Sequence, residues 1–588
     1  MNNVSFLPRT IWILLAIYLV FAVFYAAATP VFEKPDEYLH FAFAMHVFDT
    51  GELPVQEEGD LAHQAAQQGS QPPFYYAVLA GLWRVTGVDD PSAGFAELTR
   101  LNPNYDFDAT PWPDNENQFL RGDCSSACRR TSTAAYIGRG LGIAFGLLAL
   151  IGAAVTMQLA FPEAQGLLLL VVGAMAFNPQ FLHIASSVSN DVSTVAAVTW
   201  SMAAVLWWLR RPAAPARAIL LAIPVALAAL SKVSGLSIGL VAGLVFLFAA
   251  NLGWKSRARQ LGLFGGTVGV ISGWWYWRNW RLYGEPTATD IHLEIFTDDK
   301  PEQSVEGLIR DWGQVINSFW ASFGWGEINP SLLVYTLAGG VMALLLLGFL
   351  WQLPRRWRTW DHARRTLILM SIGQVLVVAV LLTRWMLRVE APLGRLMFPA
   401  LFPIVLILAS SVPVSLRGLF LGAWATVPIL MLGLLIVPAY RPPQPVFESQ
   451  PNDVLAEFGD GALLLRDIVW GHDDRWLYMQ FEWEVRRSLE RDYQIFIHAR
   501  GNPVWILEQR DTHPGLGHRL MSEFEPGQTI VDVYPLRWPK HYAITSFAIG
   551  FWVPSGQSWE RLAVTSDHFE VVDDALQLPV DEVRAATP

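Results

Sequence analysis

Apolar stretches of about 17 to 25 residues, the length that carries a helix across a bilayer, recur through the first 440 positions. They lie near 11–29, 135–158, 165–182, 191–209, 217–231, 234–251, 261–280, 332–352, 367–384, 396–412 and 419–438. The turn Ser231-Lys232-Val233-Ser234-Gly235 leaves open whether the segments beside it are one span or two, so the count of about eleven carries a margin of one or two. From residue 440 the period changes to two. Alternating runs cover Ala462 to Trp470, Trp476 to Val485, Tyr493 to Arg500, Pro503 to Asp511, Thr529 to Trp538 and Ala543 to Pro554, separated by turn residues at the spacing of a sandwich. The pattern predicts an α-helical polytopic membrane domain, 1–439, followed by an all-β sandwich domain, 440–588.

Charge orients the membrane part. Apolar residues make up 53% of the 588 and charged ones only 16%, against about 25% charged in an average soluble protein. With the N-terminus inside, the loops facing the cytoplasm hold Arg9, Arg210, Arg211, Arg217, Lys255, Arg257, Arg259, Arg355, Arg356, Arg358, Arg364, Arg365 and Arg417. The opposite loop 30–134 holds sixteen acidic residues against six basic ones. This is the positive-inside distribution, and it predicts an inner-membrane protein with a cytoplasmic N-terminus and an extracytoplasmic C-terminal domain. Arg9 ahead of an apolar run ending in Ala26-Ala27-Ala28 resembles a signal peptide, but the run is long for a signal core, so an uncleaved anchor is expected. The last 148 residues hold 23 acids and 13 bases, which speaks against a nucleic-acid partner. Two cysteines exclude a disulfide scaffold and any Cys-rich metal cluster.

The loop 30–134 is long for a structureless connection. Tyr38 to Phe48 reads as a short helix lying in the interface, and Gln71-Pro72-Pro73-Phe74-Tyr75-Tyr76 opens a second, to about Val88. Two readings are open for the acids that precede the first. Asp36 is an N-cap and Glu37 a first-turn acid favoured by the helix dipole; or one of them, held just above the membrane, is a general base or metal ligand. His40 lies one helical turn on, either in a polar cluster with them or simply solvated. Cys124 and Cys128 are spaced for a bridge if the residues between them turn, with free thiols as the alternative.

Ionisable side chains near the bilayer are costly and are therefore functional candidates. Arg139 lies inside the second span, Asn190-Asp191 ends an outer loop, Arg278-Asn279 stands in a Trp-rich helix end, and Gly394-Arg395 opens the tenth span. Each has a plainer reading as a snorkelling cation or helix cap. Together they put carboxylates and cations on one side, which suits an anionic, lipid-anchored substrate because Arg pairs with phosphate oxygens. Lys232 is ambiguous because its boundary is. Neither a Gly-rich dinucleotide motif nor a P-loop is present, so a soluble nucleotide donor is not expected.

At these positions the sequence resembles the GT-C superfamily of integral membrane glycosyltransferases, over residues 10–412. The likeness rests on Pro35-Asp36-Glu37 with His40, Pro72-Pro73-Phe74-Tyr75-Tyr76, Arg139, Asn190-Asp191, Arg278-Asn279 with Tyr283-Gly284, and Gly394-Arg395 with Pro399. The resemblance implies transfer of a sugar from a polyprenyl-phosphate donor to a cell-envelope acceptor on the outer face. It implies Asp36 and Glu37 as catalytic acids, His40, Tyr75, Arg139, Arg278 and Arg395 as substrate contacts, and Asp36 with Asp191 as ligands of a divalent metal ion. Gln71 stands where relatives often have His or Lys. The rival expectation is a transporter or flippase of a lipid-linked saccharide, which internal repeats would favour; the sequence shows none. In the tail, Tyr478, Phe481, Trp483, Trp505 and Trp552 are expected either to line a sugar-stacking face or to fill the β core.

Overall fold

A computed structural model describes residues 7–56, 68–105, 117–211, 214–248, 253–296, 304–451, 453–502, 505–556 and 558–588. Residues 249–251 of one predicted span, 503–504 of one predicted strand and two stretches of the 30–134 loop, 57–67 and 106–116, lie outside the described residues. The chain divides into two compact units, Met1–Ser92 with Arg130–Ile436, and Ala93–Arg129 with Val437–Pro588.

The first unit is helical, and each of the eleven apolar segments is largely helix over its described residues. Arg9–Ala28, Ser126–Ala160, Asp191–Leu209, Leu332–Thr359, His362–Met386 and Val414–Ala439 are long and apolar enough to cross a membrane. Gln165–Ala176 and Pro179–Ala185 make a seventh if counted as one span bent by 59°. The bend has a local cause: Pro179 cannot continue a helix through its ring, and the Asn178 side chain starts a new one by accepting from Phe181 N at 3.0 Å. Pro215–Ser231, Val233–Phe248 and Gly394–Ser410 are shorter apolar helices, and Trp254–Tyr283 runs for 30 residues. Lys232 is extended (φ −158°, ψ 148°), so the segments on either side of it are two helices.

Side-chain contacts group some of the helix ends that the charge pattern assigns to the same side. Arg364 reaches Ala160 O (3.0 Å) and Glu163 (2.6 Å), and Arg356 reaches Ser410 O (2.6 Å), all at ends assigned to the cytoplasm. Ser322 N donates to Gln180 Oε1 (2.7 Å) and Trp325 Nε1 to Phe32 O (3.3 Å), all at ends assigned to the outside. The two helices predicted in the first loop form as Glu37–Thr50 and Phe74–Thr86. They pack together through Phe43 on Tyr76 (ring centroids 3.9 Å apart) and Phe41 on Trp83 (4.9 Å).

The second unit is a two-sheet sandwich of β1 Ala456–Phe458, β2 Leu463–His472, β3 Trp476–Val485, β4 Gln494–Gly501, β5 Trp505–Thr512, β6 Thr529–Arg537, β7 Ser546–Ser555, β8 Ser558–Arg561, β9 Val564–Thr565, β10 Glu570–Val572, β11 Ala575–Pro579 and β12 Arg584–Ala585. One sheet has the order β6-β3-β2-β1-β9, with β12 parallel to β2; the other has β10-β11-β7-β4-β5, with β8 on β7. Strand alternation sends Leu477, Met479, Phe481, Trp483 and Val485 of β3 into the space between the sheets, where Trp483 meets Phe551 at 5.3 Å. Phe481 and Trp483 are therefore core residues (0% and 2% exposed) and form no sugar-stacking face with Trp505, which is 71% exposed. Cys124 and Cys128 are bridged.

Candidate functional site

The site in the first unit grows from Asp36, whose backbone is left-handed (φ 59°, ψ 9°). It sits at the N-cap position of helix Glu37–Thr50, yet its side chain makes no capping bond; the N-cap reading of its carboxylate fails because the carboxylate is turned toward Arg395. Glu37 turns the other way and is fully buried. Its carboxylate accepts from Phe32 N (2.9 Å), Val188 N (3.1 Å), Arg139 Nε (2.8 Å) and Arg139 Nη2 (2.6 Å). Arg139 spends its remaining donors on the carbonyls of Ala26, Thr29 and Pro30, at 2.6 to 2.8 Å. A buried fork of this kind ties the end of the first helix, the loop carrying Asp36 and the loop before Asp191 into one piece. Burial pulls the Glu37 carboxyl up, but the charge and hydrogen bonds of Arg139, together with Lys34 and the Val188 amide, hold the group below the usual glutamate range. Lys34, also buried, donates to Ser186 O and Oγ (both 2.6 Å) and to Tyr25 O (3.2 Å). Desolvation, reinforced by Arg139, drives its ammonium well below the ordinary lysine range.

Arg395 joins the two acids. Its Nη2 bonds Asp36 Oδ2 and its Nη1 lies 3.3 Å from Asp191 Oδ2, while Lys232 Nζ lies 2.5 Å from Asp191 Oδ1. Four loops separated by apolar helices meet here, which requires their ends to lie on one side. Gly394 permits the approach: a Cβ there would fall 2.0 Å from Phe319 N, and its own N–H donates to Ser318 Oγ at 2.8 Å. The acids differ in access. The Asp36 side chain is 29% exposed and that of Asp191 only 2%. Desolvation raises the Asp36 carboxyl, but the charge and hydrogen bond of Arg395 hold it below the usual aspartate range. His40 is buried with Nδ1 2.7 Å from Tyr76 Oη, and burial brings its pKa down to about 4, so the ring is neutral at neutral pH. The buried Arg395 Nε has no hydrogen-bond partner among the described residues, and a recess lined by Pro35, Gln180, Ser318, Trp325 and Leu393 opens beside this residue.

Of the residues singled out in the sequence, the structure gathers Asp36, His40, Asp191 and Arg395 around one point, with Glu37 and Arg139 packed behind Asp36. Tyr75 is buried and donates to Gly138 O (3.3 Å); its neighbour Tyr76 is the one that meets His40. Arg278 donates to the carbonyls of Leu53 (3.2 Å) and Pro54 (2.9 Å) and lies over Trp275 at 5.1 Å, outside the ion pairs of the cluster. Lys232 joins the site although its turn was ambiguous in the sequence; a lysine between two apolar helices is the signal that marks it. Lys34 had no such mark.

The Arg395 guanidinium already takes an oxygen of each carboxylate, so a divalent ion bridging Asp36 and Asp191 would have to displace it. The residues as arranged do not fit that ion. Among the described residues, Glu97, Cys124 and Cys128 are the one group of three such ligand atoms close enough to share a metal, but both sulfurs are in the disulfide and offer no thiolate.

No family model matches the chain, and no curated protein matches it in sequence. Among solved structures it is similar to ArnT from Cupriavidus metallidurans bound to undecaprenyl phosphate, at 13% identity over 74% of each chain and a TM-score of 0.42. It is also similar to the Pmt1-Pmt2 protein O-mannosyltransferase complex of S. cerevisiae bound to the sugar donor, at 14% identity over 47% of this chain and 34% of that one, TM-score 0.34. A third is the oligosaccharyltransferase AglB of Archaeoglobus fulgidus with an inhibitory peptide and a dolichol-phosphate, at 12% identity over 73% and 55%, TM-score 0.38. At this degree of overlap, any functional reading rests on the site's own geometry.

Proposed function

We propose that the chain is a membrane glycosyltransferase of the GT-C type, moving a sugar from a polyprenyl-phosphate donor to a cell-envelope acceptor on the outer face of the inner membrane. The observation that carries this reading is the single guanidinium shared by Asp36 and Asp191, with Lys232 behind it, at the ends of apolar helices. There a polyprenyl tail can stay in lipid while its phosphate reaches two cations, and a guanidinium holds two phosphate oxygens at once.

The steps follow from these groups. The donor phosphate competes with Asp36 for Arg395, and the Nε donor, without a partner among the described residues, supplies a further bond to it. Losing its cation makes Asp36 a stronger base. As an acceptor oxygen or nitrogen attacks the anomeric carbon, Asp36 takes its proton; the carbon–oxygen bond to phosphate breaks, and the phosphate leaves with the electron pair, its charge met by Arg395 and Lys232. Neutral His40, anchored on Tyr76, lines the same point without competing for the phosphate. Glu37 and Arg139 act through Asp36 by fixing its loop, and no step passes through a metal.

The test uses purified full-length protein in nanodiscs, a polyprenyl phosphate for binding, and a panel of polyprenyl-phosphate sugars with envelope fractions for transfer. Arg395→Leu should weaken lipid-phosphate binding by tenfold or more, equivalent to about 1.4 kcal/mol, and Arg395→Lys should rescue poorly. Asp36→Asn should bind the lipid phosphate yet transfer no sugar. Binding without transfer by the wild type across the panel would make the protein a carrier of the lipid rather than an enzyme.

A further inference from the structure

The second unit holds a concave site that the proposed transfer reaction does not use. Where β2 ends, the turn to β3 faces the segment that follows β6, and a cavity of about 320 Å³ opens between Asp474, Arg475, Trp476, Arg537, Trp538 and Lys540. That volume is at the low end of small-molecule sites, about 300 to 1,000 Å³. Arg475, Arg537 and Lys540 are exposed, and none forms a salt bridge among the described residues. Three cations in one concavity stand out in a stretch with 23 acids and 13 bases, although Glu508 lies within electrostatic reach of Arg537 and Asp473 within reach of Arg475.

The two acids of the β2–β3 turn are not equivalent. Asp473 is consumed by its turn, accepting from Arg475 N (2.6 Å), Trp476 N (2.7 Å) and Tyr478 Oη (3.2 Å). Asp474 is exposed and lines the cavity. The wall is aromatic: Trp538 is half-buried, its backbone N–H donates to Arg475 O (2.9 Å), and His472 stacks on its ring with centroids 3.6 Å apart and planes 6° from parallel. Tyr542 stands exposed four residues further on.

We propose that this cavity binds an anionic saccharide, a pyranose carrying a carboxylate or phosphate. A flat ring suits the C–H face of a sugar, Arg475 and Arg537 suit an anionic substituent through paired N–H donors, and Asp474 accepts from hydroxyls. A membrane surface is the weaker occupant. The cations surround a hollow with an acid on its rim, whereas lipid headgroups are held by an unbroken basic face.

The proposal stands apart from the transfer reaction and is tested by binding alone. Full-length protein in nanodiscs of zwitterionic lipid is titrated with a glucuronic acid trimer, with mannose 6-phosphate and with neutral maltotriose. At least one anionic sugar should bind saturably and at least tenfold tighter than maltotriose. Arg537→Ala with Lys540→Ala should weaken it at least tenfold with an unchanged Tm, because both side chains are exposed. Trp538→Ala should weaken it too, while Trp505→Ala, exposed on β5 of the other sheet, should leave it as in the wild type. Binding of neither anionic sugar, equal binding of maltotriose, or full binding by the double variant overturns the proposal. So does a double variant that alters only attachment to phosphatidylglycerol nanodiscs, which would assign the cations to lipid.

Discussion

Glu37 and Asp36 are neighbours with opposite tasks, and their partners decide which is which. Glu37 is sealed against Arg139 and two backbone amides, so Glu37→Gln leaves a buried guanidinium without its counter-charge. Breaking a buried pair from one side is strongly destabilising, on the order of 3 kcal/mol or more. The variant should unfold at clearly lower temperature in detergent. The pair Glu37→Gln with Arg139→Gln should lose less than the two single losses added, since no uncompensated charge remains; additive losses would mean that the fork is not a unit. His40 makes a pH prediction. Its folded pKa of about 4 lies below the unfolded value of 6.5, so between those limits the unfolded chain binds more protons. Stability from this group is complete above pH 6.5 and falls as pH drops toward 4. His513 and His518, also lowered to about 4 by burial, act in the same direction, while the depressed carboxyls of Asp36 and Glu37 add losses only below the ordinary carboxylate range. Tm measured from pH 7 to 4 should therefore fall less steeply in His40→Gln than in the wild type, and identical slopes would remove His40 from the account.

Among the elements, the segment Gly394–Ala400 is the one that delivers Arg395 to both acids. The backbone of Phe319 lies so near Gly394 that no side chain fits without movement. Gly394→Ala should push this segment away and draw Arg395 off the line between Asp36 and Asp191. The expected outcome is a loss of lipid-phosphate affinity and transfer by about tenfold or more, with far-UV helicity unchanged; wild-type affinity would show that the segment has room to give. The helices themselves were legible as apolar runs. The span read at 165–182 is bent by 59° at Asn178-Pro179, a break that the apolar run conceals because hydropathy does not register proline geometry. Six strands were placed within a few residues by alternation, whereas β1 and β8 to β12, five residues or fewer each, were too short to show a period.

For the whole molecule, orientation is an expectation from the charge pattern, and the contacts bring together ends that this pattern assigns to one side. Arg356 and Arg364 meet ends assigned to the cytoplasm, and Asp36, Asp191, Lys232 and Arg395 meet at ends assigned to the outside. A cysteine replacing exposed Ser555 gives a clean probe, because both native cysteines are bridged. In intact cells or spheroplasts, Ser555→Cys should react with a membrane-impermeant maleimide without permeabilisation. Labelling only after permeabilisation would invert the orientation.

The sequence by itself determined which segments are apolar enough to form membrane helices, where alternation passes to a sandwich, how the loops are charged, and that Asp36, Asp191 and Arg395 are conspicuous near the outer ends. All of these follow from composition over short windows, where hydrophobic burial and charge solvation act locally. Which polar group meets which was decided only by tertiary structure. Glu37 and Arg139 are 102 positions apart and Asp36 and Arg395 are 359 apart, and nothing within a window of the chain specifies those pairings. Packing chose Tyr76 over Tyr75 for His40, set Arg278 on the Leu53 and Pro54 carbonyls, and drew Lys232 onto Asp191. The physical reason is that a buried charge must find a partner in the space the folded helices leave, and that space does not exist until they pack.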